Sequence, residues 1–310
     1  MLDETLRRAA LAPRLGIVTD LDGTLVPFDP DPERAVPSAE TVALLAALDA
    51  LPDTVVLVSS GRPKAHLERF FERAPSLLLV GEHGVWTRDE SGWHLEVRER
   101  PAILDALAED LEHLTSAVAG SHVERKTAGL AFHYRGVNTG EKEAILVLAS
   151  STIDRALAAE PRLERLDGDE VLEVRLAGTN KSRAVALARA RLGPDATLVV
   201  LGDDTTDEDM FAALGENDLG VLVGEHDRPT SATLRAPDPA TSLALLKWLR
   251  AVRSGDGAPD LPAPTLLPFV NKAQFELLVV SNRLPELRSA SDPRKRNVGG
   301  LVSALEPVLR

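Results

Sequence analysis

Apolar residues recur along the chain in two rhythms. Short continuous runs of Val, Leu and Ile, namely "LGIVTD", "TVVLVSS", "LLLVGEHG", "ATLVVLGDD" and "LGVLVG", alternate with "SAETVALLAALDAL", "PKAHLERFFERA", "KSRAVALARARLG" and "TDEDMFAALGE", where apolar positions fall three and four apart. The continuous runs predict strands buried on both faces and the spaced segments predict helices, with Ser38 placed to cap the first of them. Strand and helix in alternation predict a parallel sheet covered on both sides, a Rossmann-like α/β core.

Between Trp86 and Leu176 the rhythm shortens to hairpin-like alternation in "VWTRDESGWHLEV", "HVERKTAGLAFHYR" and "LERLDGDEVLEVRL", interrupted by "AILDALAEDLEHLTSAV" and "EKEAILVLASSTIDRALA". Most of this stretch reads as a small α+β insertion, with the core at residues 1–97 and 177–253 and the insertion at 98–176. A Pro/Gly-rich linker is expected at 254–275, and a new strand opens in "FELLVVSNRLP" within 276–310.

Ligands of a parallel α/β sheet sit at the C-terminal ends of its strands, and polar groups collect there. Asp20 and Asp22 end the first strand, Ser60 ends the second, Lys181 opens a helix after "LAGTN", and "GDDTTDED" ends "TLVVL". Two carboxylates so close repel unless a cation intervenes. A hard ion such as Mg2+, with oxygen ligands from Asp20, Asp203 and Asp207, would reconcile them, and beside Lys181 and the Ser60 hydroxyl the matching ligand is a phosphoryl group. Asp20 is then assigned as nucleophile, forming an aspartyl-phosphate, and Asp22 as the acid/base that gives and takes a proton. Spacing excludes a calcium loop, because the sixth position from Asp20 is Leu25 and from Asp203 is Glu208, where glycine is required.

The motifs "DLDGTL", "SGR", the lysine of "NKSRA" and "GDDTTDEDMF" resemble those of the haloacid dehalogenase superfamily, and "GEHG", "GLAFHYR" and "VLEVR" add a similarity to trehalose-6-phosphate phosphatases across roughly residues 14 to 250. That resemblance implies a haloacid dehalogenase type core with a mobile cap, hydrolysing trehalose 6-phosphate to trehalose and phosphate. It implies Mg2+ held by the Asp20 carboxylate, the Asp22 backbone carbonyl and Asp203. It also implies that Arg62, Glu82, His83, Lys126, His133, Arg135, Glu173, Arg175 and Asn180 hold sugar hydroxyls and phosphate. "NKSRA" departs from relatives in having no glycine after the lysine. The segment "LLVVSNRLPELRSASDPRKRNVGGLVSALEP" resembles the opening of trehalose-6-phosphate synthase, with Arg283, Gly299 and Gly300 at its phosphate-binding positions, and implies association with a synthase domain, covalent or not. The 35 residues of 276–310 cannot bury a core alone, so no transferase activity is expected.

Composition narrows the partners. A net charge of −13 argues against nucleic acid and acidic membranes as partners, and the absence of cysteine excludes disulfides and thiolate chemistry. The N-terminal segment is too charged for a signal peptide and no apolar stretch is long enough to span a bilayer, which together predict a cytoplasmic protein acting on a small sugar phosphate. Two other readings are a different capped sugar phosphatase, for sucrose phosphate or a glycosyl-glycerate phosphate, and a non-catalytic sugar-phosphate-binding module. The second would be expected to lack catalytic aspartates, whereas Asp20, Asp22, Lys181 and Asp203 are all present.

Overall fold

The computed structural model describes residues 2–29, 33–168, 170–226, 228–255 and 266–268. The synthase-like segment 276–310 and most of the predicted linker lie outside these residues. Strands β1 (Leu15–Thr19), β2 (Thr54–Ser59), β3 (Leu78–Gly81), β4 (Trp86–Asp89) and β5 (Gly92–Leu95) are followed by β6 (His122–Arg125), β7 (Gly129–His133), β8 (Leu163–Gly168) and β9 (Val171–Leu176), then by β10 (Thr197–Gly202), β11 (Leu219–Val223), β12 (Leu234–Ala236) and β13 (Leu267–Pro268). The helices are α1 (Leu2–Ala10), α2 (Ala39–Asp49), α3 (Lys64–Phe70), α4 (Ile103–Ala117), α5 (Thr139–Ala159), α6 (Ser182–Leu192), α7 (Glu208–Ala212) and α8 (Pro239–Ser254).

The larger sheet runs β13-β12-β11-β10-β1-β2-β3-β4-β5. Its centre is parallel as expected, with Thr19 opposite both Leu201 and Val58, so that β1, β2 and β10 end level with one another. Each strand divides its residues between the two faces: Ile17, Val56, Val58 and Val199 pack with Leu45, Leu48 and Leu249 on one side, and Val18, Leu57 and Val200 with Ala184, Val185 and Phe211 on the other. That double burial is why the strands read as continuous apolar runs rather than alternating ones. Ser38 caps α2 by accepting the Thr41 N–H. The β4–β5 hairpin, whose alternation looks like that of the insertion, pairs antiparallel onto the edge of the large sheet through β3.

The second sheet, β6-β7-β9-β8, is antiparallel, and one face is covered by α4 and α5. Leu130, Phe132, Leu172 and Val174 point into that apolar layer with Leu104, Leu107, Leu111 and Ile153. The intervening positions, Glu124, Lys126, His133, Glu173 and Arg175, therefore share the opposite face. Contacts from this face and from the β6–β7 turn reach the segments that follow β1, β3 and β10. Among the described residues no helix is long and apolar enough to cross a membrane.

The start of β10 depends in part on Asp218. Its buried carboxylate accepts the backbone N–H of Leu198 (2.8 Å) and of Gly215 (2.7 Å) and pairs with Arg189, so that it pins the start of β10 to α6. Asp218→Ala leaves those donors unanswered and is expected to lower the free energy of unfolding by about 2–4 kcal/mol. Urea unfolding monitored by circular dichroism checks this, and a loss under about 0.5 kcal/mol would remove Asp218 from the frame.

Candidate active site

Asp20 is the first residue past β1, and its N–H continues the ladder by donating to the Leu201 carbonyl (2.9 Å). Its side chain is buried, and Oδ1 accepts from Lys181 Nζ at 2.6 Å. Lys181, at the N-cap of α6 and itself buried, donates equally to Asp207 Oδ1 at 2.6 Å. The other oxygen of Asp207 accepts the backbone N–H groups of Asp203 (2.8 Å) and Asp204 (2.9 Å), while the Asp204 carboxylate turns back onto Thr205 N (2.6 Å). This reciprocal cap starts the short helical turn after β10 and aims the acidic segment. Asp203 Oδ1 accepts from Thr24 Oγ1 at 3.1 Å. Gly23 has φ +77°, and a side chain there would run into the Asp203 carboxylate, so only glycine lets the first-strand loop approach the β10 end.

Two carboxylates thus share one ammonium, and a third, Asp203, lies beside them. Burial pushes the Asp20 carboxyl well up, with Lys181 opposing and Asp207 and Asp203 reinforcing the rise. Burial and Asp207 push Asp203 up to about 7. Burial alone would lower Lys181, but Asp20 and Asp207 outweigh it and hold the ammonium above its ordinary range. Negative charge is therefore under-compensated. One carboxylate oxygen from each of Asp20, Asp203 and Asp207 lies within 4.8 Å of the others, an all-oxygen set suited to a hard cation.

The β2 end supplies the opposite wall. Ser60 is buried, and its Oγ accepts the Arg62 N–H at 3.1 Å. The Arg62 guanidinium grips Asp22 with Nε to Oδ2 at 2.9 Å and Nη2 to Oδ1 at 2.5 Å. Asp22 thus has its own cationic partner, separate from Lys181. Gly61 lies under the His83 ring, whose Nε2 would sit 2.5 Å from any added Cβ.

His83 and Glu82 both adopt the left-handed region, φ +54° and +47°, which is strained for residues with side chains. Their N–H groups donate to the Ser60 carbonyl (3.3 Å) and the Arg62 carbonyl (3.1 Å), tying the turn to the β2 loop. Their side chains reach the second sheet. Glu82 accepts Thr127 N (2.6 Å) and Thr127 Oγ1 (2.9 Å), and Trp86 Nε1 donates to the same hydroxyl (2.8 Å). His83 Nε2 lies 3.5 Å from Glu173, which accepts from Lys126 Nζ at 2.8 Å. Burial raises Glu173, but His83 and Lys126 outweigh it and hold the carboxyl well below its usual range, whereas burial holds His83 below the usual imidazole range.

The sequence-predicted residues thus separate into groups. Asp20, Lys181, Asp203 and Asp207 meet directly. Ser60, Asp22 and Arg62 form the adjoining wall. Lys126, Glu173 and His83 form a cluster on the second sheet's polar face, and His133 joins Glu124 there at 3.2 Å. Arg135 pairs with Glu170 (3.8 Å) and lies 4.7 Å over Phe28 in the loop after β1. Arg175 pairs with Glu164 (2.7 Å) and lies 3.9 Å from Asp209 at the start of α7. Asn180 Oδ1 accepts Ser182 N (3.0 Å) and serves the start of α6. Glu82 answers Thr127 rather than opening toward a ligand. Two residues went unread in the sequence, Glu124 and Thr127. Period-2 alternation through "HVERK" places Glu124 on the face of Lys126, but nothing local marks Thr127 as the partner of Glu82.

The model of the family described as Trehalose-phosphatase matches residues 18–240. The bifunctional trehalose-6-phosphate synthase/phosphatase of Thermoproteus tenax is 38% identical over 242 residues, 78% of this chain and 32% of that protein. The trehalose-phosphatase of Zygosaccharomyces rouxii is 32% identical over 220 residues, covering 64% of this chain and 24% of the relative. The chain therefore spans about a quarter to a third of these relatives' length. Among solved structures, the C-terminal domain of Candida albicans trehalose-6-phosphate phosphatase aligns with a TM-score of 0.71 at 26% identity, over 80% of this chain and 96% of that one.

The charge deficit predicts a pH-dependent response to cations. Asp203 titrates at about 7 in the fold against an ordinary 3.8, so its contribution to stability is complete below the lower value and lost as pH rises through the upper one. At pH 8, Mg2+ at a hundred times its dissociation constant should stabilise the protein by about 2.7 kcal/mol. The thermal shift should shrink markedly at pH 5 and in Asp203→Asn. Equal shifts at both pH values, or in the variant, would exclude the carboxylate cluster as the binding site.

Proposed function

Because the chain belongs to the trehalose-phosphatase family, we propose that it hydrolyses trehalose 6-phosphate to trehalose and inorganic phosphate through an aspartyl-phosphate on Asp20. The observation that carries this reading is the buried Asp20 carboxylate at a strand end, held at 2.6 Å by Lys181, beside the acidic cluster and near a polar sheet face carrying Glu124, Lys126 and Glu173. Residues 1–97 and 177–253 act as the haloacid dehalogenase type core and 98–176 as a cap over the phosphate site.

Mg2+ is the cation proposed for the cluster. The all-oxygen donor set fits it, and so does the surplus of carboxylates over the single Lys181 ammonium. Asp20 and Asp203 would hold it with the Asp22 backbone carbonyl, and Asp207 with the lone pairs left by Lys181 and two N–H groups. Bound there, the ion supplies positive charge against the phosphoryl oxygens.

The chain's own residues divide the chemistry. An Asp20 oxygen forms a bond to phosphorus while the bond from phosphorus to the sugar oxygen breaks. The electron pair stays on the sugar oxygen, which takes the proton of Asp22. A water oxygen then attacks phosphorus, Asp22 takes one of its protons, and the Asp20–phosphorus bond breaks to return the carboxylate. Lys181 balances the charge on Asp20 throughout, and the Ser60 hydroxyl donates to a phosphoryl oxygen. On the cap, Glu124 and Glu173 accept from sugar hydroxyls and Lys126 donates to them. The name of the Thermoproteus tenax relative, a synthase/phosphatase, supports reading 276–310 as the start of a synthase-like unit associated with this phosphatase.

Asp20→Asn should abolish phosphate release while leaving the thermal midpoint near that of the unaltered protein; an active variant would overturn the nucleophile assignment. A panel of trehalose 6-phosphate, sucrose 6-phosphate and glucose 6-phosphate, each with and without Mg2+, tests the substrate. Preference for the monosaccharide phosphate, or activity indifferent to Mg2+, would reject the reading.

Lys126→Met separates the cap from the phosphate site. It should raise KM for trehalose 6-phosphate about tenfold or more, through loss of a hydrogen bond to substrate, and leave turnover of 4-nitrophenyl phosphate unchanged. Equal losses on both substrates would place Lys126 in the phosphate site instead.

A further inference from the structure

Resemblance alone gives Arg62 to the substrate, yet its guanidinium is directed elsewhere. Both Asp22 oxygens accept from it, at 2.9 and 2.5 Å, in the fork geometry that fixes a carboxylate's plane as well as its position. The same fork is held in turn, since Nη2 also donates to the Ala35 carbonyl (3.2 Å) and the group packs beside the Phe70 ring at 5.8 Å. The Arg62 side chain is 10% exposed, whereas that of Asp22 is 34% exposed. The buried partner is therefore the fixed one, and it steers the more open one.

The backbone of Arg62 does a second job. Its N–H donates to Ser60 Oγ at 3.1 Å, occupying an acceptor site of that hydroxyl and leaving the hydroxyl hydrogen to point at another group. Its carbonyl accepts the Glu82 N–H at 3.1 Å, which fastens the loop to the strained Glu82–His83 turn. One residue thus sets the directions of two groups that the proposed reaction places at the phosphate.

We infer that Arg62 is a positioning residue for proton transfer: it acts through Asp22, holding that carboxylate where it meets the leaving oxygen, and does not bind the substrate phosphate. This rests on the phosphatase reading above. In the step concerned, the Asp20–phosphorus bond forms, the bond from phosphorus to the leaving oxygen breaks, and the Asp22 proton moves to that oxygen. A sugar oxygen needs the proton to depart, whereas 4-nitrophenolate leaves without it. Misplacing Asp22 should therefore slow the first kind of leaving group and spare the second.

The test compares Arg62→Met, Arg62→Lys, Asp22→Asn and the double variant Arg62→Met/Asp22→Asn in the full chain. Single-turnover release of the leaving group is measured from trehalose 6-phosphate and from 4-nitrophenyl phosphate. Arg62→Met should slow release of trehalose about a hundredfold with KM within about threefold, and slow nitrophenolate release less than about fivefold. In the Asp22→Asn background the same change should cost under about threefold, because the group it acts through is already disabled. Arg62→Lys should recover little, since an ammonium cannot make the fork; it also carries the test if the methionine variant fails to fold.

Equal losses on the two substrates, a rise in KM as the main effect, or losses that multiply in the double variant would each overturn the inference and return Arg62 to phosphate binding. Failure of the underlying reading looks different: the unaltered protein would release no phosphate from trehalose 6-phosphate, or Asp20→Asn would stay active. If the unaltered protein instead hydrolyses glucose 6-phosphate, the leaving-group comparison runs with that substrate and decides the role of Arg62 on the same criteria.

Discussion

The ammonium of Lys181 is the interaction on which the rest of the site depends. It lies 2.6 Å from both Asp20 and Asp207, and all three groups are buried. Without it, the ends of β1 and β10 would bring like charges together in a region of low dielectric, where repulsion is strongest. With it, the strands can end level and their carboxylates can converge. The compensation is partial, because one ammonium serves Asp20 and Asp207 while Asp203 lies beside them, and the remainder is what a cation can use. A site neutral within itself would have no such appetite.

Asp207 shows how secondary structure is made to serve this arrangement. Acidic residues at a helix start are ordinarily explained by the helix dipole, and Asp204 and Asp207 do cap the turn after β10. Yet the capping oxygen of Asp207 is only one of two. The other accepts from Lys181, so the residue that shapes the acidic turn also fixes the lysine against Asp20. Structural and functional readings of this carboxylate are two ends of one group.

The core was legible because its causes are local or periodic. Continuous apolar runs reported strands buried on both faces, and the order of Asp20, Ser60, Lys181 and Asp203 along the chain reported strand ends that the parallel topology brings together. The β4–β5 hairpin, between Trp86 and Leu95, alternates like any two-stranded ribbon, and periodicity does not say to which sheet a ribbon adds; it pairs with β3 on the large sheet, inside the expected core bounds of 1–97. The cap side was legible only as a face. Alternation places Glu124, Lys126 and Glu173 together, but the Glu82–Thr127 clasp joins residues 45 apart in sequence. Its cause is a left-handed turn at two residues with side chains, and Glu82 in particular does not advertise that conformation.

The two aspartates of "DLDG" are two residues apart, a spacing that on a continuing strand would set both side chains on one face. The chain prevents this by leaving the strand at Asp20 and turning through Gly23, where φ is +77° and no side chain fits against Asp203. Each aspartate then finds its own cation. Asp20 takes one hydrogen bond from an ammonium it shares with Asp207, which leaves its second oxygen uncommitted to Lys181. Asp22 has both oxygens in a guanidinium fork. An ammonium is a point charge that neutralises without prescribing a plane, whereas a guanidinium prescribes one. A nucleophile needs a neutralised carboxylate with an oxygen free to attack, and a proton carrier needs a carboxylate held in one orientation. In the roles proposed for the two aspartates, the difference between lysine and arginine would divide the labour of two otherwise identical side chains.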